Sequence, residues 1–278
     1  MLFDLHNDLL TASDCTEYRS VLEGYSKDGL TDIVLAIWTA GIPEGTDISA
    51  FSVPETDIRV RLAIEGLGKL RASDRARAIR ETRPVYVSLT WNGDDPLAGG
   101  CGCEKPLTEE GRRAVDDIAG SGCVLDVAHL SDIALRDALS YASSRGCRVM
   151  CSHTACRALC AHPRCITDDD AVRIAEAGGI VGIAAVPNFL VCGLKYGENC
   201  QRIDYARHIA HMCSVVGSER VALGTDLYGT DYMPVGFGGY ADVSALGDDL
   251  SGLGLTEKDI QNIFYKTAET FFAAGSDI

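Results

Sequence analysis

The chain has 278 residues, with 40 acidic side chains against 25 basic ones and a formal charge of −15. Hydrophobic residues make up 46% and charged residues 23%, an ordinary globular balance, and the length suits one domain over 1–278 with a sizeable core. The acid excess argues against nucleic acid and anionic membrane surfaces as partners, because both need clustered Lys and Arg.

Twelve cysteines could suggest a disulfide scaffold. Against that, the chain is too long to need staples and the cysteines have no regular spacing. The stretch MLFDLHND also has neither the basic nor the apolar region of a secretion signal, so a reducing, cytoplasmic setting is expected. The longest uncharged run, Gly178 to Leu194, contains Pro187, Asn188 and four glycines and falls short of the ~20 apolar residues of a spanning helix.

In chain order, apolar and β-branched runs predict eight strands: Leu2–Leu5, Asp32–Trp38, Val60–Ile64, Pro84–Thr90, Cys123–Ala128, Arg148–Ser152, Gly179–Ala185 and Arg220–Thr225. The first crossover has room for one helix around Glu17–Ser26. The second, Thr39 to Arg59, carries two prolines and no 3.6-residue period, so a loop or short turn is expected where a full helix would normally lie. Helices follow over Thr108–Ser121, Ser131–Arg145, Thr167–Ala177, Arg202–Val216 and Thr256–Ala274, several opening on a Thr or Ser cap with carboxylates in the first turn. Strands alternating with helices predict an α/β fold, a closed (β/α)8 TIM-type barrel with a shortened crossover between strands two and three. An open doubly wound sheet is the alternative, and no Gly-rich phosphate loop follows the first strand to support it.

Polar residues then gather at strand ends. The first strand ends in His6-Asn7-Asp8, the third in Glu65, the fifth in His129, the sixth in His153 and the eighth in Asp226. In a barrel, all these C-terminal ends meet on the face that carries active sites. Three imidazoles and three carboxylates form an N/O set suited to zinc or a similar divalent ion, and the count fits two ions better than one. Glu65 could bridge the two, His6 and Asp8 could serve one, and His129 and His153 the other. A shared water of lowered pKa would attack, with Asp226 left as the proton shuttle. Each residue alone has a blander reading, as a turn cap, a loop acid or a hydrogen-bonded histidine; five such strand ends at one face do not.

The stretches DLHNDL (Asp4–Leu9), AIEG (Ala63–Gly66), VSLTWN (Val87–Asn92), LTEEGRRAV (Leu107–Val115) and LDVAHLS (Leu125–Ser131) continue with CSHTACRALCAHPRCITDD (Cys151–Asp169) and HIAHMCSVVGSERVALGTDLYG (His208–Gly229). In this order they resemble the membrane-dipeptidase family of dinuclear zinc peptidases, within the amidohydrolase-like barrels. The resemblance implies a dipeptidase that works through a metal-bridging hydroxide. By similarity His6 and Asp8 bind one zinc, Glu65 bridges both, His129 and His153 bind the other, and Asp226 is the acid/base. Arg164 matches the arginine that holds the C-terminal carboxylate of a dipeptide substrate, a role a guanidinium fork suits.

One departure stands out. Animal-type members carry a histidine after the fourth strand, where this chain has Trp91; its indole could donate a hydrogen bond or form an apolar pocket wall in contact with substrate. The alternatives are a related amide, lactam or ester hydrolase on the same centre, or a non-catalytic metal- or peptide-binding barrel. A homodimer is compatible with the sequence. His208 and His211, spaced i, i+3 on a helix flank with no carboxylate partner in view, read as structural. The cysteines at 101, 103, 151, 156, 160 and 165 match no usual metal spacing, and His162 stands near Arg164 without an assigned role.

Overall fold

Eight parallel strands pair each with its neighbour in sequence, and the last closes on the first, in a computed structural model that describes residues 1–11, 18–52, 55–195 and 197–274. The strands are β1 (Leu2–Asn7), β2 (Leu30–Trp38), β3 (Arg59–Glu65), β4 (Tyr86–Ser88), β5 (Val124–Asp126), β6 (Val149–Thr154), β7 (Val181–Ile183) and β8 (Val221–Leu223). This is the closed barrel expected, with β4, β5, β7 and β8 trimmed to three residues each. The helices are α1 (Tyr18–Lys27), α2 (Ala72–Thr82), α3 (Glu109–Gly120), α4 (Asp132–Ser144), α5 (Asp168–Glu176), α6 (Pro187–Leu190), α7 (Arg202–Val216), α8 (Val243–Gly252), α9 (Glu257–Gln261) and α10 (Thr267–Ala273). The expected first helix is α1, though Glu17, its predicted start, lies outside the described residues. Among the described residues no helix is long and apolar enough to cross a membrane.

The expected caps form. Thr108 Oγ1 accepts from the Gly111 amide at 3.0 Å, Ser131 Oγ from Ala134 at 3.3 Å and Thr167 Oγ1 from Asp170 at 3.1 Å. Between β2 and β3 the described residues carry only two three-residue 3-10 turns, Thr39–Gly41 and Ile48–Ala50, which is the shortened crossover. Three helices escape the sequence reading: the single turn α6, and α2 and α8. α2, ASDRARAIRET, buries only Arg75, Ala78 and Ile79 and opens on Arg71 with no side-chain cap, so its apolar period is faint. α8, VSALGDDLSG, is interrupted by two glycines. The predicted final helix is real, but a π turn over Asn262–Lys266 separates α9 from α10.

Inside the barrel, Phe3, Leu5, Val34, Ala63, Tyr86, Val124, Met150 and Ala222 fill the lower part, and Tyr265, Phe271 and Phe272 close its N-terminal end. Phe3 stacks on Phe272 with centroids 5.7 Å apart. The upper end is left to polar side chains. Two strands that carry histidines there, β1 and β6, lose regular register beside them, between Asp4 and Asn7 and between Cys151 and Thr154. Such irregularities re-aim side chains at barrel rims.

Candidate active site

His6 lies near the end of β1, Glu65 ends β3 and His153 lies in β6; Asp8, His129 and Asp226 follow β1, β5 and β8. All six are buried. His129 and Asp226 hold left-handed backbone, with φ of 68° and 63°, a conformation uncommon for non-glycine residues.

Each imidazole has a defined tautomer by hydrogen accounting. Tyr86 donates its hydroxyl proton to Leu5 O at 2.9 Å, so its oxygen accepts from His6 Nδ1 at 2.8 Å. Ser152 donates to Asp126 Oδ2 at 2.6 Å, and its oxygen accepts from His153 Nδ1 at 2.7 Å. Asn92 Oδ1 accepts from His129 Nδ1 at 2.9 Å. With every Nδ1 committed as donor, all three Nε2 atoms face inward, the arrangement of metal-ligating histidines, whose outer nitrogen is held by a hydrogen bond.

Those nitrogens converge on carboxylates. His6 Nε2 stands 3.4 Å from Asp8 Oδ2, 3.7 Å from Glu65 Oε2 and 3.8 Å from Asp226 Oδ1. The other oxygen of Glu65, Oε1, is 2.8 Å from His129 Nε2 and 3.9 Å from His153 Nε2. Glu65 thus presents one oxygen to each half of the cluster. Ligand atoms of His6, Glu65 and His153 lie within 4.8 Å of one another, as do those of His6, Asp8 and Asp226, so Asp226 also stands within reach of a shared ion.

The donor set fits divalent cations on observations of this site. His129 Nε2 and His153 Nε2 approach to 2.8 Å, a contact that two lone pairs support only with a proton or cation between them. His6 Nε2 and Asp8 Oδ1 are buried with no hydrogen-bond partner. A Cβ built on Gly229 would run into Asp226 Oδ1 and Asp8 Oδ2, so only glycine lets the backbone close over these carboxylates. Charge tells the same story. Burial opposes a proton on His6, yet Asp8, Glu65 and Asp226 outweigh it and hold its pKa at about 10. Burial pushes both Glu65 and Asp226 up to about 7. Burial, with Arg164 and His6 as charged neighbours, drives His129 and His153 well below the usual imidazole range, keeping them in the neutral form that ligates metal.

Above the cluster opens a cavity of about 790 Å³, walled by Trp38, Trp91, Phe189, Arg164, Asp226 and Tyr228. Trp91 packs between Trp38, at 5.1 Å between ring centroids, and His129, at 6.2 Å, as an apolar wall. Arg164 is buried and donates from Nη2 to His153 O at 3.1 Å and to His129 Nε2 at 3.3 Å, and its guanidinium lies 5.2 Å from the Phe189 ring. Its Nε has no hydrogen-bond partner. A buried guanidinium N–H left open beside a cavity is a ready anion donor.

Sequence reasoning missed the residues that orient this cluster. Asn92, Asp126, Ser152 and Gly229 fall inside the motif stretches but carried no assigned role; Tyr86 lies just outside them and gave no signal of its own. Asp4, from the DLHNDL stretch, sits beneath the site, its carboxylate accepting from the Thr225 and Tyr240 hydroxyls and from the Thr225 amide at 2.9 Å. His208 is structural as expected, with Nδ1 accepting from the Cys156 amide and Nε2 donating to Leu190 O, both at 3.0 Å. His211 corrects the expectation of no carboxylate partner: α5 brings Asp168 Oδ1 to 3.0 Å from its Nε2. His162 accepts from the Arg164 amide at 3.2 Å and stacks near Phe189. Among the described residues no cysteine joins a group of three potential ligands.

A family model described as membrane dipeptidase (peptidase family M19) matches residues 47–268. An uncharacterised dipeptidase of Schizosaccharomyces pombe is 29% identical over 201 residues, covering 69% of this chain and 46% of that protein. The chain spans about half the length of the curated relatives it matches. Among solved structures, a dipeptidase AC of metallopeptidase family M19 superposes with a TM-score of 0.81 at 18% identity, covering 98% of this chain and 97% of that one. A metallopeptidase from Rhodobacter sphaeroides, liganded with a phosphinate mimic of the dipeptide L-Ala-D-Ala, gives 0.79 at 17% identity and 98% coverage of both chains. At these identities the two superpositions establish a shared fold.

Proposed function

Because this chain belongs to the membrane dipeptidase family, peptidase family M19, we propose that it is a zinc dipeptidase that hydrolyses the peptide bond of dipeptides. The observation that carries the reading is the convergence of three tautomer-fixed Nε2 atoms on Asp8, Glu65 and Asp226 beneath a cavity lined by Arg164, whose buried Nε–H has no partner. In this reading His6 and Asp8 hold one zinc, His129 and His153 the other, and Glu65 spans both.

When bound, such metal ions would lower the pKa of a water and lend Lewis acidity toward a carbonyl oxygen. Around it the chain's own residues divide the work. Arg164 takes the substrate's C-terminal carboxylate, which fixes the scissile bond over the cluster and favours very short peptides. Trp38, Trp91 and Phe189 wall the cavity and exclude water from the bound peptide. Asp226, held beside Asp8 and His6 by left-handed backbone, accepts the proton of the attacking water and passes it to the departing amine nitrogen.

The test is a dipeptide panel, L,L and L,D, assayed against lactams and esters, with metal analysis of the same preparation. About two zincs per chain and turnover confined to dipeptides are expected. Asp226→Asn should keep the metal and lose turnover; normal dipeptide cleavage by that variant, or a protein that stays metal-free in excess zinc, sinks the reading.

A further inference from the structure

The wall of the cleft that carries Arg164 is built from two segments with no covalent connection nearer than the barrel itself. One is the loop from β6 to α5, which holds Cys160, Arg164 and Cys165. The other is α6 and the residues after it, which hold Asn188, Phe189 and Cys192. Cysteines stitch the two together. Cys160 Sγ donates to Asn188 O at 3.6 Å, and Cys165 Sγ donates to Phe189 O at 3.4 Å. Cys192 Sγ points at Cys160 Sγ from 2.8 Å, closer than non-bonded sulfurs ordinarily rest. Cys160 is buried at 1% exposure, whereas Cys192 is exposed.

We propose that Cys160 and Cys192 are a modification site, a dithiol that closes reversibly into a disulfide across this wall, with a low-molecular-weight disulfide such as oxidised glutathione as oxidant. The sulfurs must approach from 2.8 Å to the ~2.05 Å of a disulfide, a small rotation for two side chains already facing each other.

The roles of the two thiols differ. Cys192 meets solvent, where a small disulfide can reach it, and its sulfur is held in place by a hydrogen bond from the Ala161 amide at 2.9 Å. Burial pushes the Cys160 thiol up to about 12, so it is not the first to react. Cys192 therefore attacks the small disulfide, forming a mixed disulfide and releasing one small thiol. Cys160 then displaces the second small thiol and forms the protein disulfide. Two protein thiols are oxidised, one small disulfide is reduced to two thiols, and both cysteine protons leave on the released thiols.

The closed pair ties the Arg164 loop to the Phe189 segment. On the dipeptidase reading, it would restrain the group that receives the substrate's carboxylate and shift KM more than kcat. The disulfide itself does not depend on that reading.

The metal-loaded protein is incubated with oxidised glutathione, its remaining thiols are alkylated, and it is analysed by intact mass and peptide mapping. The expected result is loss of two hydrogen masses, a peptide joining Cys160 to Cys192, reversal by dithiothreitol, and a Tm raised by about 5 °C or more in the oxidised form. Cys192→Ser, a change at an exposed position, should show neither the linked peptide nor the Tm rise. Glutathione stranded on Cys192, a linkage through Cys165, or unchanged thiols overturns the proposal. If dipeptide hydrolysis is absent altogether, the mass and melting measurements still decide it.

Discussion

The two ends of the barrel treat buried chemistry in opposite ways. At the N-terminal end Phe3, Tyr265, Phe271 and Phe272 form an aromatic plug, Arg61 lies 4.9 Å over the Phe3 ring, and Arg148 lies 4.2 Å over Phe271. At the C-terminal end His6 Nε2, Asp8 Oδ1 and Arg164 Nε lack partners, and His129 and Asp226 sit in left-handed backbone. Volume does not separate the ends, since a hollow of about 880 Å³ lies at the lower one, beside Arg59, Arg61 and Arg148. Unpartnered ionisable groups do, because His6, Asp8 and Arg164 all lie at the upper end. One end supplies stability, and the other gives some of it up to keep donors and acceptors open for a ligand.

That contrast can be broken by mutation. Glu65→Gln should lower kcat/KM by at least about 1,000-fold with loss of bound metal, while the metal-free melting temperature holds or rises because a buried carboxylate is gone. Kinetics, metal analysis and calorimetry check it; a matching fall in stability would erase the distinction between the ends. Phe3→Ala should do the reverse. It removes a ring packed on Phe272 and should cost about 3–5 kcal/mol in urea unfolding, with metal stoichiometry unchanged in the folded protein.

Gly229→Ala sharpens the upper end. The added Cβ would press on the Asp226 and Asp8 carboxylates, so an activity loss of about 100-fold is expected with the circular dichroism spectrum intact. His208, on the flank between the two ends, gives the smallest effect. Burial lowers its pKa from 6.5 to about 4, so the folded state binds its proton later than the unfolded chain does. Its stabilisation is complete above pH 6.5 and is lost as the pH falls through about 4. His208→Gln should remove about 1–2 kcal/mol of that acid-side decline, read as urea midpoints from pH 7 to 4 at fixed metal content.

Much of the upper end was legible because a (β/α)8 pattern alone places strand ends together. His6, Asp8, Glu65, His129, His153 and Asp226 each follow an apolar run, and closure of the sheet does the rest. What stayed hidden depends on neighbours that only closure brings side by side. Tyr86 from β4 fixes His6 from β1, and Asp126 at the end of β5 reaches His153 of β6 through Ser152. His211 finds Asp168 because α5 and α7 pack together, a contact spanning 43 residues. Cys160 and Cys192 meet across 32. α2 was hidden for another reason: one of its three buried positions is an arginine, Arg75, and Ala78 and Ile79 alone are too few apolar positions to mark a period.

The π turn at Asn262–Lys266 bears on how the chain tolerates change in its own length. A five-residue turn holds one residue more than an α turn, which advances everything after it by about 100° around the helix axis. Phe271 and Phe272 owe their heading to that extra residue, and Phe272 meets Phe3, near the other end of the chain, because of it. Deleting any one residue of the five would let the helix rewind into a continuous α run and carry both rings about a quarter-turn off Phe3. The first strand and the last helix are thus set in phase like meshed gears, and a single-residue deletion there would slip a tooth at the base of the barrel while every residue of the upper cluster kept its place in the sequence.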